Sequence, residues 1–176
     1  MGRGTMLTIN IIGGIAVLGS YAYGAMTHPG QTDLLWGNLP DAVRGIYTTM
    51  MFPAAIGYLT LTAYLLLGKP EQLQLSGASA LPLLNANYAI FLLTATLWMP
   101  LCWIAVDGPA QWLAFPIQAV LALTGLAALA FLVLLWKLED RSRPTFRLAA
   151  LVGAGCLFLQ CGILDAIIWP RFFVIG

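Results

Sequence analysis

Residues 85–106 read NANYAIFLLTATLWMPLCWIAV, a stretch without a single charged side chain. An α-helix needs about 20 mostly apolar residues to cross a bilayer, and in hydrocarbon the backbone must pair all its own polar groups. This stretch therefore predicts a transmembrane helix. The pattern recurs four more times, which predicts an all-α, polytopic membrane protein, a five-transmembrane-helix bundle forming one domain over 1–176. The predicted helices are roughly 7–26, 46–67, 85–106, 111–136 and 147–169.

The composition excludes the other broad classes of protein. The 176 residues are 60% hydrophobic and 9% charged, whereas a soluble domain has about 25% charged residues. A soluble enzyme and a disordered chain are both excluded. The net charge of +1 gives no attraction to nucleic acid. Arg3 followed by an apolar run resembles a signal peptide, but the length of the run favours a retained helix.

The cationic side chains predict the orientation in the membrane. Five crossings place the N-terminus, the second loop (68–84) and the fourth loop (137–146) on one side. Because cytoplasmic loops are enriched in Lys and Arg, the sequence predicts an inside N-terminus and an outside C-terminus. It does not identify the membrane. The first side carries Arg3, Lys69, Lys137, Arg141, Arg143 and Arg147, and the second carries only Arg44 and Arg171.

Three prolines fall within the predicted helices, Pro53, Pro100 and Pro116. Each removes a backbone donor and tends to kink its helix, and kinked helices leave room for a cavity. A polar first loop (27–45) and a tight turn at 107–109 complete the predicted connections.

Asp165 is the one acidic residue well inside an apolar run. An ionised carboxylate in a membrane costs about 2.5–3.5 kcal/mol, so the position needs an explanation. Two interpretations stay open: an interfacial Asp that pairs with Arg171, or a pocket or proton-relay group. Gln160 lies five residues earlier, about 140° around an α-helix, which predicts that the two side chains occupy different faces.

Metal and catalytic motifs are absent from the sequence. His28 is the sole histidine, and both bis-histidine haem ligation and an HExxH motif need two, so both are excluded. We interpret it as a solvated loop residue, with a single axial contact to haem or chlorophyll left open. Cys102, Cys156 and Cys161 are predicted to be buried and inert. The sequence therefore predicts no catalytic residue and no metal ligand.

The tryptophans divide into two groups. Trp112, Trp136 and Trp169 lie at helix ends, where an aromatic belt explains them. Trp98 lies in mid-helix beside Pro100, where it either lines a site for a flat apolar ligand or packs against a neighbouring helix.

Three motifs within residues 20–105 resemble the tryptophan-rich sensory protein / translocator protein (TspO) family. They are WGNLP at Trp36–Pro40, the Phe52–Pro53 step with tyrosines following, and LWMPL at Leu97–Leu101 followed by Trp103. The second helix departs from the family because it has no Trp. The fifth departs because it carries Cys156, Gln160, Cys161 and Asp165 in place of a Trp and a Leu-Asn pair.

The resemblance implies a five-helix bundle, often a homodimer, with a pocket closed by the first loop and open to porphyrins, sterols or lipid-like ligands. A tetrapyrrole or a lipid is the implied cofactor, with Arg44 and Asn38 as partners for tetrapyrrole carboxylates. The ligand-binding residues predicted from the aromatic residues and the resemblance are Trp36, Asn38, Tyr47, Phe52, Pro53, Trp98, Trp103 and Asp165.

The scarcity of reactive residues disfavours an enzyme and indicates an alternative to ligand binding, an accessory structural subunit of a larger respiratory or photosynthetic membrane complex. A small membrane enzyme that uses Asp165 and tyrosines is a third, weaker hypothesis. The expected partners are membrane lipids, a hydrophobic small molecule, and a homodimer or larger membrane complex.

Overall fold

The computed structural model describes residues 2–68, 73–108, 110–140 and 142–173. Within these ranges the chain is almost entirely helical, and five helices are long and apolar enough to cross a membrane. The predicted all-α five-helix membrane bundle is thereby confirmed. Two cations of the predicted orientation, Lys69 and Arg141, and Pro109 of the predicted turn at 107–109 lie outside the described residues. The helices are α1 (Arg3–Thr27), α2 (Asp41–Leu67), α3 (Leu81–Asp107), α4 (Ala114–Lys137) and α5 (Pro144–Phe158).

The fifth span does not end with α5. It continues as a π-helix, Leu159–Ile168, and closes with a 3₁₀ turn, Trp169–Arg171. We call Leu159–Ile168 the π segment. A π-helix forms i→i+5 backbone hydrogen bonds, so side chains five apart become neighbours along it.

Prolines mark where several helices begin. Pro40 precedes α2, which begins at Asp41, and Pro82 lies in the first turn of α3. Both helices begin four to five residues before the apolar runs that predicted them. Pro116, predicted to kink the fourth helix, instead lies in the first turn of α4. There its missing N–H costs no intrahelical hydrogen bond. Pro53 and Pro100 do lie inside their helices.

The second loop contains a small β-hairpin. Strand β1 (Gln74–Leu75) pairs antiparallel with β2 (Ala78–Ser79). Ser76 and Gly77 have φ of 52° and 76°, the positive pair that a two-residue type I′ hairpin turn requires. The Glu139 backbone N–H donates to Gln74 O at 3.1 Å, which joins this hairpin to the fourth loop at one end of the bundle.

The first loop, the third loop and the end of the fifth span meet at the opposite end. A short 3₁₀ helix, Thr32–Trp36, lies in the first loop (28–40), which we call loop 1. His28 contacts Asp107, and the Asn38 N–H donates to Phe172 O. The second and fourth loops thus lie at one end of the bundle and the first and third loops at the other, as five successive crossings require. The inside or outside location of each end stays a prediction.

Helix packing follows the spatial order α1, α3, α4, α5, α2. Close approach occurs where glycines face each other, because a Cβ on Gly57 would lie 2.3 Å from Gly153 O, and one on Gly125 would lie 2.8 Å from Gly162 Cα. These pairs join α2 to α5 and α4 to the π segment. Consecutive helices α1 and α2 scarcely touch, which leaves space between them near loop 1.

Because of Asp140 in the fourth loop, we expect the free energy of unfolding to depend on pH. Burial disfavours its charge, but hydrogen bonds from Ser142 and Tyr64, with the charge of Arg143, hold its pKa below the usual range. The unfolded Asp, with a pKa of about 3.9, takes up its proton first as pH falls. Stability is therefore present at neutral pH and is lost as pH falls from roughly 4 through the folded-state pKa.

We expect Asp140→Asn to lower the free energy of unfolding at pH 7 by about 1.5–3 kcal/mol and to flatten its dependence on pH below roughly 4. Denaturant unfolding in detergent at pH 7 and at pH 3.5 measures both. Asp41→Asn, at the exposed start of α2, is the control. An unchanged pH slope in Asp140→Asn contradicts this role for the carboxylate.

Candidate functional site

A cavity of about 180 Å³ lies beneath loop 1, between α1, α2, α3 and the end of the fifth span. It occupies the space that α1 and α2 leave by packing on other helices. We call it the loop-1 cavity. Its lining is aromatic and apolar except for the Asp165 carboxyl group and the hydroxyls of Thr32 and two tyrosines. The lining residues are Tyr21, Thr32, Leu35, Trp36, Tyr47, Met51, Trp98, Met99, Asp165 and Trp169.

The five aromatic rings of the lining form two groups, one of three rings and one of two, with tilted or edge-on contacts that are typical of favourable aromatic pairs. Trp98 lies between Tyr21, with ring centroids 5.8 Å apart, and Trp169, at 5.9 Å and 75°. Trp36 meets Tyr47 at 5.9 Å and 78°. Tyr47 is itself fixed because its hydroxyl donates to Leu164 O on the π segment. The cavity thus has aromatic walls contributed by three helices, loop 1 and the end of the fifth span.

Asp165 is held by Gln160, contrary to the prediction that they occupy different faces. Gln160 Nε2 donates to Asp165 Oδ1 at 2.9 Å. The prediction assumed an α-helix, in which residues five apart diverge by about 140°. In the π segment residues five apart are adjacent, and this brings the amide to the carboxylate.

The carboxyl group of Asp165 has no cationic partner among the described residues. The ion pairs found there are His28–Asp107, Arg44–Asp33 and Arg143–Asp140, and the suggested pairing of Asp165 with Arg171 is not formed. The carbonyl oxygen of the same amide, Gln160 Oε1, is buried without a hydrogen-bond donor.

Loop 1 is fastened over the cavity by contacts to the end of the fifth span. Trp169 Nε1 donates to Leu35 O at 3.0 Å, and the Asn38 N–H donates to Phe172 O at 3.0 Å. Gly37 between them has φ +54°, and a Cβ there would lie 2.3 Å from Phe172 O. Glycine is therefore required for this close approach.

Arg44 lies at the edge of the cavity rather than in it. Its guanidinium pairs with Asp33 at 3.0 Å and lies 5.5 Å from the ring centroid of Trp36. The charge is thus already compensated by a loop-1 carboxylate. The cation–π contact fixes the ring of Trp36 from outside the lining.

The structure brings together four of the eight predicted site residues: Trp36, Tyr47, Trp98 and Asp165 line the loop-1 cavity. The other four lie elsewhere. Asn38 and Pro53 are not in the lining, and Phe52 is 73% exposed on the outer face of α2. Trp103 is 3% exposed and packs beneath His28.

His28 is not the solvated loop residue that the sequence predicted. Its ring stacks on Trp103 with centroids 3.9 Å apart, and its side chain is only 12% exposed. Nε2 contacts both carboxylate oxygens of Asp107 at 3.0 and 3.1 Å, while Nδ1 faces Thr27 Oγ1 at 2.8 Å. These contacts join the end of α1 to the end of α3 and account for the residue structurally.

Sequence reasoning missed Tyr21 and Trp169, which complete the aromatic wall. Trp169 was assigned to an interfacial belt, although its position four residues after Asp165 was a signal that both belong to one site. Tyr21 carried no signal, because its role depends on how α1 packs against α3. The rest of the lining is formed by Met51, Met99, Thr32 and Leu35.

Two further cavities lie outside this site. One of about 160 Å³ lies on the far side of Trp169, so that this indole separates it from the loop-1 cavity. The other, about 320 Å³, lies between α1 and α3, and its only polar side chains are Thr8 and Thr96. A lipid chain explains this last groove without a specific ligand.

In the described ranges no group of three His, Cys, Asp or Glu side chains is placed to hold a metal ion.

No protein-family model, no curated protein and no solved structure matches the chain.

Proposed function

We propose that this integral membrane protein binds a small hydrophobic ligand in the loop-1 cavity. The observation that carries the proposal is a cavity with aromatic walls within a membrane bundle, with a carboxylate in its wall. Ligand sites are typically concave and apolar, with a few polar groups that orient the ligand. An aromatic ligand gains about 25 cal/mol for each Å² removed from water, with stacking in addition.

The cavity volume limits the size of the ligand. A cavity of about 150 Å³ accommodates benzene, and drug-sized ligands need about 300 Å³ or more. The loop-1 cavity, at about 180 Å³, therefore suits a ligand with one aromatic ring. A porphyrin or a sterol would enter only after loop 1 had moved away from the end of the fifth span.

Membership of a divergent branch of the TspO family is part of this proposal. It is supported by the motif at Trp36–Pro40, which lies in the loop that covers the cavity, and by Trp98 of the third-helix motif, which lines it. The alternative of an accessory subunit has no observation specific to it, since exposed apolar side chains on every helix are what lipid contact requires. Migration of the extracted protein with a large complex would favour that alternative.

Benzyl alcohol tests the proposal because it is neutral, has one ring and fits the cavity. We expect saturable binding to protein in phosphatidylcholine nanodiscs, measured by equilibrium dialysis with empty nanodiscs subtracted. Trp98→Ala removes the ring that links Tyr21 to Trp169 and should weaken binding about tenfold.

Trp136→Ala is the matched control, because Trp136 is 69% exposed near the opposite end of the bundle. It should bind benzyl alcohol as the unaltered chain does. Equal binding in the Trp98 variant would remove this residue from the site, and binding no greater than that of empty nanodiscs would overturn the proposed function.

A further inference from the structure

We propose that the ligand of the loop-1 cavity is a small organic cation, an aromatic or alkyl ammonium, bound with its charged nitrogen at Asp165 and its apolar part among the aromatic rings. The inference rests on the proposed function and specifies the chemical class of its ligand. It depends on the charge at the site, the aromatic walls, and the balance of donors and acceptors.

Asp165 places a carboxyl group where its ionised form would cost free energy. A carboxylate in the membrane interior is expensive unless it is paired, and an isolated buried charge needs a counter-ion or several hydrogen bonds. Gln160 provides one hydrogen bond, and among the described residues no Lys, Arg or His pairs with Asp165. A bound ammonium group would supply the missing positive charge.

The aromatic walls favour the same ligand. The faces of Trp and Tyr rings attract cations within about 6 Å of the ring centroid, and cages of such rings are the usual sites for organic ammonium groups. Trp36, Tyr47, Trp98 and Trp169 line the cavity with Asp165. Trp36 already accepts a cation from outside, since Arg44 lies 5.5 Å from its centroid.

The balance of hydrogen-bonding atoms argues against an anion. Asp165 has accepted one hydrogen bond, and Gln160 Oε1 beside it has no donor. In the lining the buried donor without a partner is the uncharged indole N–H of Trp98. Arg44 does not line the cavity and is paired with Asp33. A ligand carboxylate would therefore face the carboxyl group of Asp165, whereas an N–H donor would find an acceptor there.

Three probes of nearly equal size separate charge from shape: benzylammonium, benzyl alcohol and benzoate. Each is tested by equilibrium dialysis at pH 7 against protein in zwitterionic phosphatidylcholine nanodiscs, so that the lipid adds no net charge. We expect benzylammonium to bind about tenfold tighter than benzyl alcohol, with benzoate the weakest. We expect Asp165→Asn to remove the preference for the cation while benzyl alcohol still binds.

Asp41→Asn is the matched control, since it removes an acid from the same end of the bundle but outside the lining, and it should keep the preference. Asp165→Glu should keep it in part, which separates loss of charge from misfolding. If benzyl alcohol binds and benzylammonium has no advantage, or if Asp165→Asn keeps the advantage, the cation assignment is overturned and the proposed function stands. If no probe binds, both are overturned.

Discussion

Trp169→Ala is expected to lower the free energy of unfolding by about 3–5 kcal/mol, the usual cost of removing a large buried aromatic side chain. Trp169 is 3% exposed and stacks on Phe173 with ring centroids 4.3 Å apart. Its Nε1–H is also the donor that holds Leu35 O. Truncation would join the cavities on its two sides and release loop 1 from the end of the fifth span.

Chemical denaturation in mild detergent, followed by circular dichroism, measures this effect. Trp112→Ala provides the matched control, because Trp112 is 70% exposed and should change stability by no more than about 0.5 kcal/mol. The truncated protein should also lose binding of benzyl alcohol. Equal stability of the Trp169 and Trp112 variants would show that Trp169 does not organise this end of the bundle.

Gly153→Ala is the second change with a large expected effect. A Cβ at Gly153 would lie 2.6 Å from Gly57 Cα and 2.9 Å from Gly57 O, and these are backbone atoms that cannot move away as a flexible side chain could. We expect α2 and α5 to separate locally, at a cost of about 1–3 kcal/mol or more. Thermal unfolding in detergent should show a lowered midpoint.

Gly155→Ala tests whether the effect comes from contact rather than from helix propensity. Gly155 lies in the same helix, and a Cβ there would meet nothing within 4 Å. Alanine stabilises a helix interior by roughly 0.5–1 kcal/mol relative to glycine, so this variant should be neutral or more stable. A Gly153 variant as stable as the Gly155 variant would contradict the close packing of α2 on α5.

Hydrophobic runs were enough to predict the five helices, because a bilayer leaves an apolar segment of this length few alternatives. The starts of α2 and α3 were placed too late, since their first turns extend beyond the apolar run that a hydropathy pattern detects. The π segment was not predicted either. Its geometry depends on i→i+5 backbone pairing, which leaves no periodic signature in a segment whose strongly polar side chains are Gln160 and Asp165 alone.

The candidate site was predictable where local sequence carried it and not where helix packing decided it. Trp36, Tyr47 and Trp98 occur next to distinctive motifs or a proline, and all three line the cavity. Phe52 also lies beside a proline, but its position on α2 turns its side chain outward. Tyr21 reaches the cavity only because α1 packs on α3 rather than on α2, its neighbour in sequence.

Crystals of the protein soaked with 4-bromobenzyl alcohol test most directly whether the space beneath loop 1 is a binding site. Bromine is located by its anomalous scattering. We expect a bromine peak between Trp98, Trp169 and Tyr47. Bromine found solely on the lipid-facing surface, or side chains that fill this space in the crystal, would contradict the account.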